Sequence, residues 1–361
     1  MINEKIDKAL EIVLETRLAS SFKPRAIRWL WPDRFALGKL GLIGGLPDKG
    51  KGLISCDLFA CVTADNPLPC GEGHAPQGDV IYFTAEDDIE DTVIPRLMAA
   101  GVNLDRVHIV QMARLSNGST RTFNMVTDLP ALKAKIEEVG NVVLVMIDPM
   151  SSYLGVGKVN SSVTTDVRGF LKPLTDLAAE KMVAIIGVMH FNKKSDVTNA
   201  MLRIADSLAY VAAARHVYVV VDDAEVEHRR LFVKAKNNLA PDKKALSYMT
   251  GLRLIGIDPE INKEIWAPHI IWGAEHVEIT ANEAMQAEAG GGKRSSTELR
   301  AAEDFLRTRL AQGPVKQKDL FEEAVANDIS ERTLRRAKKN LEVESVKLKG
   351  STDGEWVWKS P

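Results

Sequence analysis

Short, almost unbroken apolar runs recur along the first two thirds of the chain, at residues 40–44, 80–84, 107–110, 142–147, 183–188 and 217–221. A strand buried on both faces has this texture, because both of its alternating sets of side chains must be apolar. Between the runs, apolar residues fall three and four apart, as in Leu53, Ile54, Leu58, Cys61 and Val62, or in Val167, Phe170, Leu171, Leu174, Leu177 and Ala178. That spacing is one face of a helix. Alternation of the two textures over about 200 residues predicts an α/β fold, a mainly parallel sheet flanked by helices.

From 226 to 280 the pattern changes to short strand-like runs, 231–234 and 270–272, which predict a β-rich end to the same domain. The stretch AEAGGGKRSS, 287–296, lacks the apolar side chains needed to pack and reads as a linker. The expected organisation is a large domain at 1–283, a linker at 284–296 and a small domain at 297–361. In the small domain the spacing predicts helices at 297–310 and 316–326 and a third, capped by Ser330, that runs to Leu341. A hairpin ending in Trp356-Val357-Trp358 follows, with both tryptophans expected in its core. Three helices and a hairpin are the elements of a winged helix-turn-helix.

Composition adds limits. An apolar share of 45% and a charged share of 27% are ordinary globular values and exclude a disordered, collagen-like or coiled-coil chain. The 47 Lys and Arg against 49 Asp and Glu leave a net charge of −2, so contact with nucleic acid requires a local basic patch. Residues 329–349 supply one: Arg332, Arg335, Arg336, Lys338, Lys339, Lys347 and Lys349 face three acids, a local charge of +4. This reads either as a DNA-binding helix and wing or as a solvated basic face. Cys56, Cys61 and Cys70 form no C-x-x-C pair, which fits a reducing compartment and gives no zinc signature. The apolar runs are too short to span a membrane and the charged start is unlike a signal peptide, so a cytoplasmic protein with no membrane partner is expected.

The strongest local signal is GLPDKGKG, residues 45–52, placed after a strand and before an amphipathic helix. The pattern G-x-x-x-x-G-K in that setting makes a phosphate loop. Backbone amides from Gly45, Leu46, Pro47 (carbonyl only), Asp48, Lys49, Gly50, Lys51, Gly52 and Leu53 surround a phosphate, and Lys51 reaches the β and γ phosphates of ATP. The following residue, normally a Ser or Thr that holds Mg²⁺, is Gly52. Its lack of a hydroxyl weakens the expectation of hydrolysis more than that of binding. The run 142–147 ends in Asp148, which reads as a Mg²⁺-linked carboxylate or as a plain strand-end acid. Glu86, after the run 80–84, reads as the base that polarises water or, with Asp87 and Asp88, as a helix cap. His190 ends the run from 183 and reads as a sensor of the γ phosphate or as a structural histidine.

Together these segments resemble RecA-like ATPases of the plasmid and phage RepA type, AAA-family ATPases that act as replicative helicases. The resemblance runs from about Trp29 to Pro241 and includes, in order, GLPDKGKG, FTAEDD, IPRLMAAGV, VVLVMIDPM, VRGFLKPLTDLA, VMHFNKK, DSLAYVAAARHVYVV and KAKNNLAP. It implies a RecA-like sheet and catalytic roles for Lys51, Glu86 and His190, with ATP and Mg²⁺ as cofactors and Asp148 at the metal. Arg215 matches the arginine finger, which serves a neighbouring subunit's nucleotide, so a homo-oligomeric, often hexameric, ring is implied. Lys234 and Lys236 are second contacts across that interface, and Lys158, Lys193 and Lys194 lie on loops that would meet DNA in the ring's channel. The segment ISERTLRRAKKNL and the hairpin after it resemble the C-terminal DNA-binding module of such proteins. Departures are Gly52, Asp48 where glycine is frequent, and Asp206 before Ser207 where Gly-Ser is frequent. ATP-switched DNA binding or helicase loading with little turnover is the other function that these residues allow.

Overall fold

The computed structural model describes residues 14–154, 164–191, 208–241, 244–289, 292–311, 313–327, 329–347 and 356–360. Lys158, Lys193, Lys194, Asp206 and Ser207 lie outside these residues, as does the side chain of Arg332.

The chain opens with a small antiparallel hairpin, β1 (Trp29–Trp31) and β2 (Phe35–Ala36), and then enters β3 (Leu40–Gly45), α1 (Lys51–Thr63) and β4 (Asp79–Thr84). A π-helical turn, Ile89–Val93, leads into α2 (Ile94–Ala100). After β5 (Val107–Val110) come a two-residue-strand hairpin, β6 (Ala113–Arg114) with β7 (Thr120–Arg121), and α3 (Leu129–Val139). β8 (Val142–Asp148), α4 (Thr164–Lys181), β9 (Ala184–His190), α5 (Leu208–Ala213) and β10 (His216–Asp222) continue the alternation. Three antiparallel strands follow: β11 (Arg230–Asn237), β12 (Ala245–Asp258) and β13 (Lys263–Val277).

These strands form one nine-stranded sheet of order β13-β12-β11-β10-β3-β9-β8-β4-β5. From β10 to β5 all neighbours are parallel, so the molecule has the RecA-like α/β fold with an antiparallel extension at one edge. The continuous apolar runs are explained by burial on both faces. In β8, Val145 and Ile147 face the core with α3 and α4, while Leu144 and Met146 face the core with α1 and α2. β5 departs from the expectation: it is the edge strand, and its four residues are only half-buried. β12 and β13 are much longer than the short runs at 231–234 and 270–272 suggest, because outside the body they alternate with exposed side chains. No helix among the described residues is long and apolar enough to cross a membrane.

The span expected to be a linker is largely helical. α6 (Ala281–Ala289) and α7 (Gly292–Leu310) cover most of it. Ala281, Ala284 and Met285 are buried in the main core, and small side chains with high helix propensity let α6 lie close against β10 and β11. The C-terminal elements are β14 (Val315–Lys316), α8 (Gln317–Ala326), α9 (Glu331–Asn340), β15 (Glu344–Lys347) and β16 (Trp356–Lys359), with a three-stranded sheet of order β14-β16-β15. Ser330 caps α9 by accepting from the Thr333 amide at 3.1 Å, as its position suggests. They share a separate apolar core that includes Leu306, Leu320, Leu334 and Trp358. Trp356 is 49% exposed and takes no part in that core, because strand alternation turns it to the opposite face.

One buried ion pair fastens the β1–β2 hairpin to the body. Arg34 Nε and Nη2 donate to the two oxygens of Glu72 at 2.6 and 2.8 Å, and Trp31 Nε1 and His276 Nε2 also contact that carboxylate, at 2.6 and 2.8 Å. Burial alone would raise the Glu72 pKa, but the hydrogen bonds and charge of Arg34, with His276 and Trp31, hold it at about 2. A carboxyl held low stabilises the fold above its ordinary value of 4.5, and that contribution disappears as pH falls towards about 2. Glu72→Ala, which strands Arg34 in the interior, should cost about 3–5 kcal/mol in urea unfolding at pH 7, with a smaller difference at pH 3. Equal unfolding midpoints at pH 7 would refute this role.

Candidate active site

The sequence 45–52 folds as a loop between β3 and α1. Gly50 adopts φ 78°, ψ 24°, a left-handed conformation that glycine takes without strain, and α1 begins at the next residue. Asp48 also has a positive φ, 60°. Asp is among the few residues other than glycine that tolerate this region, which accounts for its presence where glycine is frequent. The first amides of α1 have no acceptor within the helix and, with the helix dipole, favour an anion at this end.

Lys51 is 5% exposed, and its Nζ donates to the Leu46 carbonyl across the loop at 2.6 Å. Burial lowers its pKa to about 8, against the opposing pull of Asp148, Asp48 and Glu86. The loop is pinned from outside. Tyr248 Oη donates to the Lys49 carbonyl at 2.5 Å, and the Lys49 ammonium pairs with Asp222 at the end of β10 and lies 3.8 Å from Glu288 in α6.

Parallel registers bring the other groups to the same edge. Gly45 is opposite His190, and Thr84 is opposite Asp148. Burial pushes the Asp148 carboxyl up to about 6, Glu86 and Asp87 add to the rise and Lys51 opposes it. A Cβ built on Gly52 would meet only Asp148 Oδ2, at 3.3 Å, so the place of the missing hydroxyl is open and lies beside this carboxylate. Ser55 does not replace that hydroxyl, since its Oγ is directed back at the Lys51 carbonyl, 3.4 Å away within the helix.

Glu86 follows β4 and is 58% exposed at its side chain, with Oε2 3.7 Å from His190 Nε2. His190 Nδ1 is buried without a hydrogen-bond partner among the described residues. The three acids divide their work. Asp88 accepts from the amides of Glu90 and Asp91 and caps the π turn, Asp87 pairs with Arg96 at 2.5 Å, and Glu86 remains facing the cleft.

Lys51, Gly52, Glu86, Asp148 and His190 line one cleft of about 410 Å³. Arg96, Arg230, Thr250 and Pro268 line it too, and no sequence motif assigns them a chemical role. Arg96 lies within a segment already matched to the family, so its charge was an available signal. The other three reach the cleft only because β11, β12 and β13 extend the sheet, which no local pattern discloses.

Arg215 stands elsewhere. It is exposed and precedes β10, with its amide donating to the Leu40 carbonyl at 2.9 Å. Since Leu40 and Gly45 are the two ends of β3, Arg215 lies about 16 Å along the strand from its own chain's loop at 3.3 Å per residue. It does not cap α5. Lys236 does so, with its ammonium donating to the carbonyls of Val211, Ala212 and Ala214 at 2.7, 3.3 and 2.8 Å. Lys236 therefore has a structural role in this chain rather than a free ammonium at an interface.

On α9 the basic residues face in several directions. Arg335 pairs with Glu331 at 2.6 Å and stacks over Phe321, and Arg336 meets Glu225 of the loop after β10 at 2.7 Å. Lys338 lies 4.7 Å from the Trp358 ring centre. Arg335, Lys338 and Lys339 line a groove of about 480 Å³ with Gln317, Ser345 and Trp358.

Comparison with known proteins gives one family. The model of the AAA_25 family, described as an AAA domain, matches residues 8–196, just over half the chain, and this span holds the loop, Glu86, Asp148 and His190 but not Arg215 or the C-terminal elements. No curated protein matches the chain. Among solved structures, the ATPase domain of a phage helicase is similar over 63% of this chain and 84% of its own, at 15% identity and a TM-score of 0.44.

Asp148 gives a test of the electrostatics. Its folded pKa of about 6 lies above the ordinary 3.8, so its ionisation opposes folding, and the cost enters as pH rises through that window and is complete above it. Asp148→Asn should therefore stabilise the ligand-free protein at pH 8 by about 1 kcal/mol or more in chemical unfolding and give little gain near pH 4. A variant that is less stable than wild type at pH 8 would contradict this picture.

Proposed function

The chain belongs to the AAA domain family, and on that premise we propose that it is a cytoplasmic, Mg²⁺-dependent ATPase that acts on DNA as a RepA-type replicative helicase of a phage or mobile element. The observation that carries this reading is the convergence of Lys51, Asp148, Glu86 and His190 on one cleft at the carboxyl ends of adjacent parallel strands. Ligands of open α/β sheets bind at this edge.

The residues present fit a magnesium ion. Mg²⁺ is usually held by one or two carboxylates with phosphate oxygens and water, and Asp148 beside the open space at Gly52 offers such a setting. Bound there, Mg²⁺ would neutralise charge on the phosphates. Lys51 and the loop amides hold the polyphosphate, Glu86 accepts a proton from water and aligns it for in-line attack, and His190, in contact with Glu86, links the terminal phosphate to the strand end. Arg215 is too far from its own chain's cleft to act there, which supports its service to a neighbouring copy in a ring, with six subunits as in the family it resembles. The groove on α9, with Arg335, Lys338 and Lys339, supports a winged-helix contact with DNA phosphates.

Gly52 favours a second reading, in which ATP switches DNA binding or helicase loading with little turnover. Mg²⁺-dependent ATP hydrolysis with and without single-stranded DNA separates the two. The motor reading expects DNA-stimulated turnover that Lys51→Ala abolishes and that Glu86→Gln lowers about 10²-fold or more with nucleotide binding retained. Binding without turnover, especially if Gly52→Ser restores turnover, would replace the motor by the switch.

A further inference from the structure

The cleft has two ends, and the order of the strands distinguishes them. Glu86, Asp148 and His190 come from β4, β8 and β9, on one side of the strand that feeds the loop, whereas Arg230, Thr250 and Pro268 come from β11, β12 and β13 on the other. A nucleotide whose terminal phosphate meets the first group must run across the loop towards the second. Arg230 is the cation at that second end. Its side chain is 22% exposed, and one of its terminal nitrogens lies 3.6 Å from the point that a Cβ on Gly50 would occupy. Its Nε is buried and has no hydrogen-bond partner among the described residues. The carboxylate nearest to it, Asp222, is 3.8 Å away, and the other oxygen of that carboxylate is taken by Lys49. Register fixes the guanidinium in place, since Arg230 pairs across β10 with Asp222 and across β12 with Tyr248, whose hydroxyl holds the loop.

A rigid, poorly partnered guanidinium at the lip of an anion loop is suited to a phosphate. We propose that Arg230 binds the phosphate next to the nucleoside, the group that tri-, di- and monophosphates share, and so sets affinity for nucleotide irrespective of the γ phosphate. This rests on the reading of the cleft as a nucleotide site.

Calorimetric titration of the full chain with Mg²⁺ and, in turn, a non-hydrolysable ATP analogue, ADP and AMP tests it. Arg230→Ala should weaken all the nucleotides that wild type binds measurably by a similar factor, about tenfold to a hundredfold for a charge-assisted contact. Arg230→Lys should recover part of this loss, because an ammonium keeps the charge and lacks the planar fork. Affinities within twofold of wild type, or a loss confined to the triphosphate, would overturn the assignment. If thermal unfolding shows that Arg230→Ala does not fold, Arg230→Lys and Arg230→Gln carry the same comparison. A wild-type chain that binds none of the three nucleotides, and so does not differ from Lys51→Ala, would instead overturn the nucleotide reading beneath it.

Discussion

A buried ammonium beside buried carboxylates is the arrangement on which the centre of this molecule depends. Lys51 is almost wholly removed from water, and the lowering of its pKa to about 8 shows that nearby acids only partly offset the loss of hydration. Asp148 is displaced the other way, to about 6, for the same reason. Neither group is at its preferred ionisation in the empty cleft. The parallel sheet imposes this, since it brings the ends of β3, β8 and β9 side by side and its helices exclude water from the faces. A polyanion accompanied by a dication would satisfy both groups together, which is the physical content of a preorganised phosphate site.

Much of this is legible in the chain. Six continuous apolar runs correspond to the six parallel strands, because a strand covered on both faces leaves little room for polar residues. The loop is legible because its backbone needs the left-handed conformation at Gly50 and a lysine directly after it. Once those strands are parallel, the residues at their carboxyl ends must share an edge, and the placement of Asp148, Glu86 and His190 follows from topology rather than from any single motif.

The rest is hidden for specific reasons. β12 and β13 are long and amphipathic only in part, so short apolar runs mark their buried portions and miss the exposed ones. Arg230, Thr250 and Pro268 enter the cleft through antiparallel pairings at large sequence separation, and no spacing rule ties them to the loop. A Gly- and Ser-rich stretch reads as a linker although the segment just before it buries Ala284 and Met285 against the sheet. Composition marks the absence of large apolar side chains, but small ones can still dock a helix at close range. Likewise, the positive charge of α9 says nothing of direction, and the structure turns Arg336 towards Glu225.

The charges around the cleft explain why its reacting end is incomplete within one chain. Lys51 is the cation that stands among Glu86, Asp87 and Asp148, while Arg96 is neutralised by Asp87 and Lys49 by Asp222. A triphosphate would add several negative charges to this end, and a transition state for phosphoryl transfer spreads that charge over oxygens that need donors. One dication held by one carboxylate reduces the excess without supplying directional hydrogen bonds on the far side of the phosphate. Arg215 is an exposed guanidinium at the opposite edge of the sheet, where no rotamer reaches the cleft of its own chain. A head-to-tail arrangement of copies places such an edge against the next cleft. On this argument the demand for a cation at the reacting end and the position of Arg215 are two halves of one requirement, and a shared site between copies is the arrangement that satisfies both.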